Sequence, residues 1–415
     1  MWISLRADQA RGLKTPCFVY DANVLRARVA MLRALDAELL CAVKANPHPG
    51  VLRVLQPLLD GADVASMGEL DAALAAGFAP STLSFAGPGK SDAELERAAE
   101  LGAVINVESV RELEVLPSSA RVRVRVNAAT LFRSYRVPFT GAPSPFGFDE
   151  ESLDEVLPRL KRFRLEGVHL HAGAQCTSVE GVLTVARVGL ALLARVGGTS
   201  LNLGGGFGAI APDNELDVAA LAPKLNALIP SPAPAEGQGE GASARSAPEE
   251  GEHARAERDA DKRGANTRDI RGSGGGSLPH PNPARLTLCF EPGRWLVGPA
   301  GLYVTRVVSE KRSRGKHFAI LDGGVHHFFS ASTVLTPPNA RRAPVLNLTR
   351  PDAPLVRREL HGVLCTPLDS LGADVELPEP RVGDLLAFQC AGAYGPTFSP
   401  TNFLGHPHPL ELLVN

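Results

Sequence analysis

Over the first two thirds of the chain, short apolar runs of strand length alternate with stretches whose apolar residues recur at helical spacing. The runs fall at residues 39–43, 62–65, 82–85, 103–107, 122–126, 167–170, 201–203 and 286–290. They are continuous rather than alternating, which marks strands covered on both faces, as in parallel sheets flanked by helices. Eight strands interleaved with helices predict a (β/α)8 TIM barrel, whose chemistry sits at the carboxyl ends of the strands. An open, doubly wound sheet is the competing architecture. A further strand at 15–21 stops at the polar Asp21, ahead of a helical pattern over 22–35, and can belong to another sheet.

After residue 299 the helical period fades. Runs at 304–308, 317–321, 355–360, 385–390 and 410–414 predict a second, mostly β domain over 300–415, leaving 22–299 to the barrel. Between the seventh and eighth strands, residues 230–282 are rich in Pro, Gly, Ser and charge and contain no Phe, Trp or Tyr. Such a segment cannot bury enough surface to offset the entropy of ordering, so a disordered insert is expected, with a helical pattern only at 252–262.

Composition narrows the class of partner. With 415 residues, 44% hydrophobic and 21% charged, the chain can build a large domain and a smaller one. A net charge of -2 provides no general attraction to nucleic acid or to an anionic membrane, which leaves small molecules as the expected ligands. Six cysteines without paired short spacing argue against a zinc site or a disulfide framework and fit a reducing cytoplasm. The start of the chain lacks the apolar stretch of a signal peptide, and the longest apolar helical pattern, 182–196, is interrupted by Arg187 and Arg195, so a cytoplasmic location is expected.

Candidate chemistry gathers at the strand ends. The run LLCAVKANPHPG delivers Lys44 from a buried strand into a turn, where apolar neighbours favour loss of the amine proton, as a Schiff-base nucleophile requires. Gly204, Gly205 and Gly206 follow the seventh strand and can turn backbone N–H groups toward a phosphate. Glu291 and Arg294, in EPGR, leave the eighth strand; the carboxylate suits a protonated pyridine nitrogen and the guanidinium a phosphate or a substrate carboxylate. His169 and His171 close the sixth strand in HLHAGAQ, two apart and so on one face. No third metal ligand stands near them, so His171 is read as stacking on a flat cofactor and His169 as a satisfied core residue. Asp63 and Ser66, in ADVASMGEL, and Arg125, in RVRVRV, occupy equivalent strand ends. The β domain adds Cys365 and Asp369, in CTPLD, and Tyr394, in GAYG; a thiol beside a carboxylate suits proton delivery and recognition of a polar substrate tail.

Taken in order, CAVKAN, ADVASMGEL, HLHAGAQ, LNLGGGFG, EPGR, CTPLD and GAYG resemble the pyridoxal-phosphate-dependent decarboxylases of fold type III, the group of diaminopimelate and ornithine decarboxylases. The resemblance spans nearly the whole chain outside the insert. It implies an alanine-racemase-like barrel, a mostly antiparallel C-terminal β domain that also takes in residues 1–21, pyridoxal 5'-phosphate as cofactor, and a homodimer with shared active sites. Carried onto this sequence, it makes Lys44 the Schiff-base lysine, His171 the ring-stacking imidazole and Glu291 the partner of the pyridine nitrogen. Gly204, Gly205, Gly206, Arg294 and Tyr394 would hold the phosphate. Cys365 would come from the partner subunit to protonate Cα, with Asp369 near the substrate side chain.

Three positions depart from the pattern: Ala174 replaces a serine of the phosphate cup, Thr366 a glutamate of diaminopimelate decarboxylases, and Pro145 a basic residue common among them. CTPLD, DGGVHHFFSAS and GAYGPTFSPTNFLGHPHPLE are similar to a branch of siderophore, antibiotic-pathway and exosortase-associated decarboxylases, some acting on carrier-linked or conjugated amino acids. The expected activity is removal of the α-carboxylate from an amino acid or a conjugate. The alternatives are a racemase on the same fold and a catalytically silent regulatory homologue.

Overall fold

A computed structural model describes residues 1–5, 7–228, 286–336 and 341–415. The expected insert at 230–282, with its helical pattern at 252–262, lies outside the described residues. The chain opens with strand β1 (Cys17–Asp21). There follow β2 (Glu38–Ala42), β3 (Gly61–Val64), β4 (Leu83–Phe85), β5 (Val104–Val107) and β6 (Arg121–Asn127). Next come β7 (Arg164–His169), β8 (Ser200–Asn202) and β9 (Thr287–Phe290). From β2 to β9 each strand pairs in parallel with the next in the chain, and β9 pairs back onto β2 through Cys289 opposite Glu38 and Phe290 opposite Leu39. That last pairing closes the barrel and rules out the open sheet. Nearly every residue of β2 to β6 is buried, as strands sandwiched between a packed interior and an outer layer of helices must be.

The second domain is built on β10 (Gly301–Ser313), with β11 (Lys316–Leu321), β12 (Val345–Asn347), β13 (Leu355–His361), β14 (Ser370–Pro378), β15 (Leu385–Phe388) and β16 (Leu410–Val414). β10 lies antiparallel to β11, β15 and β1, and β16 adds in parallel on the far side of β1. The first strand of the chain thus sits inside the C-terminal sheet. Asp21 makes the passage to the barrel. It ends β1 and caps the helix Ala22–Leu32, accepting hydrogen bonds from the N–H groups of Asn23 (2.8 Å) and Val24 (3.2 Å).

That helix reaches back to the short helix Arg294–Val297. Arg28, fully buried, lays its guanidinium 3.4 Å from the Trp295 ring centroid and donates to the Trp295 carbonyl from Nε (3.0 Å) and Nη2 (2.6 Å). Nη1 pairs with Glu215 at 2.6 Å. Cation–π contact, carbonyl and carboxylate together fix the segment that carries Arg294. Among the described residues no helix is long and apolar enough to cross a membrane.

Candidate active site

Lys44 lies on a single 3-10 turn, Val43–Ala45, which breaks out of β2 where the apolar run meets Asn46 and Pro47. Its Nζ stands 2.5 Å from Oδ2 of Asp63, the fully buried third residue of β3. The other Asp63 oxygen has no partner among the described residues. Burial alone would lower the affinity of Lys44 for its proton, but Asp63 and Glu291 outweigh it and hold the amine above its ordinary range. This corrects the expectation of an easily lost proton, because apolar neighbours are not what the amine faces. Asp63 in turn is pushed up to about 7 by burial and by Glu291, against the pull of Lys44.

Glu291 follows β9 directly. Its Oε1 accepts a 2.7 Å hydrogen bond from Asn202 Nδ2 and lies 3.4 Å from His169 Nε2. Burial opposes ionisation of Glu291, yet His169 and Lys44 prevail and keep it below the usual carboxylate range. His169 is 1% exposed and, contrary to the satisfied core residue expected, neither ring nitrogen completes a hydrogen bond within the described residues. Burial lowers its affinity for a proton, against the opposing pull of Glu291. His171 is pushed down to about 3 by burial and by Arg125, so an uncharged ring faces the cavity.

The glycine run turns on the same groups. Gly204 N–H donates to Asn202 Oδ1 at 2.8 Å and Gly205 N–H to His171 Nδ1 at 3.0 Å, which leaves the His171 proton on Nε2. Gly204 (φ +65°) and Gly206 (φ +85°) lie in the left-handed region, and a Cβ there would stand 2.2 Å from His171 Nδ1 and 2.1 Å from the Gly173 carbonyl oxygen, respectively. Only a bare backbone makes this cradle. Tyr394 arrives from the β domain in the left-handed conformation (φ +54°), held by its N–H to the Ala45 carbonyl at 2.8 Å, and its ring lies 4.8 Å from the Arg294 guanidinium carbon.

These groups surround one cavity of about 620 Å³. Lys44, Asp63, Arg125, His171, Glu291 and Arg294 line it, together with Gly205, Gly206 and Tyr394, and Gly204 lies directly behind His171. Three of the expected residues lie elsewhere. Ser66 spends its hydroxyl as the cap of the helix Met67–Ala75, accepting from Glu69 N–H at 3.2 Å. Cys365 is exposed on a β-domain loop. Asp369 is buried and both its oxygens are engaged, accepting from Val325 N–H and Leu364 N–H, each at 2.7 Å.

Reading the sequence missed Asn202, which joins the acid to the glycine cradle, and Glu108. The latter accepts from Arg125 Nη1 (3.0 Å) and from the N–H groups of Gly87 (2.6 Å) and Gly147 (3.2 Å), so it fixes Arg125 at the rim. The signal for Asn202 was its place next to the glycines in LNLGGG; Glu108, one residue beyond β5, had no sequence signal of its own.

The donor set fits pyridoxal phosphate. An amine for its aldehyde, a carboxylate for its ring nitrogen, a neutral imidazole beside its face and a cradle that excludes side chains all open on the same space, where Asp63 Oδ1 and both His169 nitrogens lack partners among the described residues. Residues 22–240 match the family pattern of the pyridoxal-dependent decarboxylases, pyridoxal binding domain. The chain is 32% identical to the L-glutamyl-[BtrI acyl-carrier protein] decarboxylase of Niallia circulans, covering 97% of this chain and 89% of that protein. It is also 32% identical to the diaminopimelate decarboxylase of Deinococcus radiodurans, covering 98% and 92%. Its fold is similar to that of the Helicobacter pylori diaminopimelate decarboxylase solved with L-lysine, with a TM-score of 0.74, 25% identity and coverage of 98% and 93%. With the barrel, the C-terminal sheet and the amine, acid and cradle at one cavity, the chain belongs to the fold type III pyridoxal-dependent decarboxylases.

Proposed function

We propose that Lys44 is the amine that captures the coenzyme aldehyde, and that the substrate is an amino acid, free or attached to a larger group, whose α-carboxylate leaves as carbon dioxide. The observation that carries this reading is Lys44 Nζ bonded at 2.5 Å to the buried Asp63 carboxylate, in the same cavity as Glu291, whose charge acts on the amine and whose carboxylate is held beside His169 and Asn202. When bound, pyridoxal phosphate supplies the sink for the electron pair freed as the Cα–carboxylate bond breaks. The remaining work falls to side chains. Glu291, ionised and fixed by Asn202, keeps a proton on the ring nitrogen. His171, neutral and tethered through Nδ1 to Gly205, covers one face of the ring. Gly204 to Gly206 and Arg294 hold the phosphate. Asp63 accepts the hydrogen bond from Lys44 Nζ and is placed to take the one proton the ammonium group must give up before its lone pair could add to an aldehyde.

Cys365 faces solvent rather than this cavity, which supports its delivery to the site of a second copy in a homodimer, where it returns a proton to Cα. Asp369, whose carboxylate binds Leu364 N–H just before the thiol, then acts by positioning that loop. The Niallia relative, named for a glutamyl group on a carrier protein, supports a conjugated substrate as well as a free one.

The test is direct. Purified Lys44→Ala is expected to lose the visible absorbance of bound coenzyme and to release carbon dioxide at least about a thousandfold more slowly from a panel of free and conjugated amino acids. Retention of the band would overturn the assignment.

A further inference from the structure

The cavity that holds Lys44 is not a single chamber. A second space of about 340 Å³ adjoins it between the barrel rim and the β domain, and Arg136, Gln175, Arg294, Ser330 and Thr336 line both. Its charge is unbalanced. The two carboxylates on its wall, Asp374 and Glu376, are engaged by Arg357 at 2.8 and 3.7 Å, and Arg341 is paired with Asp213. Arg136 and Arg342 face no carboxylate within ion-pair distance among the described residues. Arg342 is fixed in place: Nη1 donates to the Ala331 carbonyl at 3.0 Å and Nη2 to that of Thr336, while its buried Nε has no partner among the described residues. Burial, and then Arg136 nearby, make the Arg342 proton easier to lose than usual, as expected for two like charges held over one space.

Arg136, exposed to solvent, and Arg342, half-buried, thus put two guanidinium groups with no carboxylate partner among the described residues on the wall of a chamber beside the catalytic cavity, an arrangement that favours an anionic group on the ligand. The coenzyme phosphate does not meet that need, because the glycine cradle and Arg294 already provide for it. A substrate ending in an ammonium group would face two like charges. We propose that the substrate carries an anionic group at the end remote from its α-carbon, and that Arg136 and Arg342 bind it in this side chamber. The inference rests on the reading of Lys44 and its cavity as the decarboxylation site. The shared chemistry is a carboxylate or a phosphate ester.

The experiment uses the holoenzyme and product-like amines of matched length that differ only at the far end: 4-aminobutyrate, 4-aminobutyramide and putrescine, their six-carbon counterparts, and 3-aminopropyl phosphate. Binding is read from the shift of the coenzyme spectrum. At one length or the other the anion-ended amine is expected to bind at least about tenfold more tightly than its amide, with the diamine weakest, and added salt erodes the preference. Arg136→Gln and Arg342→Gln should each remove about tenfold from the anion while leaving the amide unchanged, and Arg342→Lys should restore part of the loss. A carboxylate preferred over phosphate points to an acidic amino acid, and the reverse to a phosphoester-tailed conjugate; both support the proposal. Equal binding of amide and anion at both lengths, or variants that weaken both alike, overturn it. A wild-type protein with no coenzyme band would instead sink the underlying site assignment, and the inference with it.

Discussion

Asn202 holds Glu291 by a 2.7 Å hydrogen bond, and the same amide accepts from the Gly204 N–H at 2.8 Å. Asn202 and Glu291 are 0% and 5% exposed. The acid for the ring nitrogen and the cradle for the phosphate are therefore one unit, joined through the end of β8. Asn202→Leu keeps the volume but leaves a buried N–H and a buried carboxylate without their partner. A loss of about 2–3 kcal/mol in stability is expected, with weaker coenzyme binding, measured by denaturation of the apoprotein and by coenzyme titration. An unchanged coenzyme affinity would separate the two ends of the site.

Gly204→Ala tests the cradle. The new methyl would stand 2.2 Å from His171 Nδ1 on a backbone with φ +65°, so coenzyme affinity is expected to fall by at least about tenfold. Gly68→Ala is the control. It lies in the helix Met67–Ala75, where a Cβ meets only Ser66 Oγ at 3.9 Å, and should leave the coenzyme untouched while stabilising the protein by about 0.5–1 kcal/mol.

Cys365 and Asp369 separate by readout. Cys365→Ser, at an exposed position, should change the melting temperature little, yet lower kcat by about a hundredfold or more if the thiol returns the proton. Asp369→Asn replaces a carboxylate that accepts from two backbone N–H groups, and about 1.5–3 kcal/mol of stability should go with kcat. A stable Asp369→Asn variant with a raised KM alone would assign the carboxylate to substrate contact.

Acid should destabilise the β domain through His326 and His327. Their rings are 3.7 Å apart, and the first is 0% and the second 2% exposed. Burial, His327 and His406 push His326 down to about 3; burial pushes His327 down to about 4, with His406 and His408 adding to it and the Pro407 carbonyl opposing it. The unfolded chain takes up protons on these rings below about 6.5, while the folded chain does not until about 4 or lower. Stability contributed by keeping them neutral is thus present above about 6.5 and falls as pH drops toward 4, by up to about 1.4 kcal/mol per pH unit for each ring. His326→Phe, replacing a ring whose nitrogens have no partner among the described residues, should flatten the slope of urea-unfolding stability over this range. An unchanged slope would show that other groups carry the acid sensitivity.

The apolar runs, the lysine after the second strand, the glycine triplet and EPGR were enough to specify the barrel and most of its rim. Each of these signals is local, set by the burial period of a strand or by the backbone freedom of glycine. The β domain was less legible. Val345–Asn347 is too short to register as a run, and Ser370–Pro378 is broken by Gly372 and by Asp374 at φ +50°, where the pairing with β13 slips.

What the sequence could not assign was how each polar group is spent. Ser66 and Asp63 stand three apart near the end of one strand, but one caps a helix and the other binds Lys44. His169 was indistinguishable from a core histidine until Glu291 arrived at 3.4 Å from a strand more than a hundred residues later. The charge state of Lys44 likewise depended on two carboxylates from other strands. Residue types and strand ends are fixed along the chain, whereas hydrogen-bond partners and proton affinities are fixed by groups that meet only when the barrel closes.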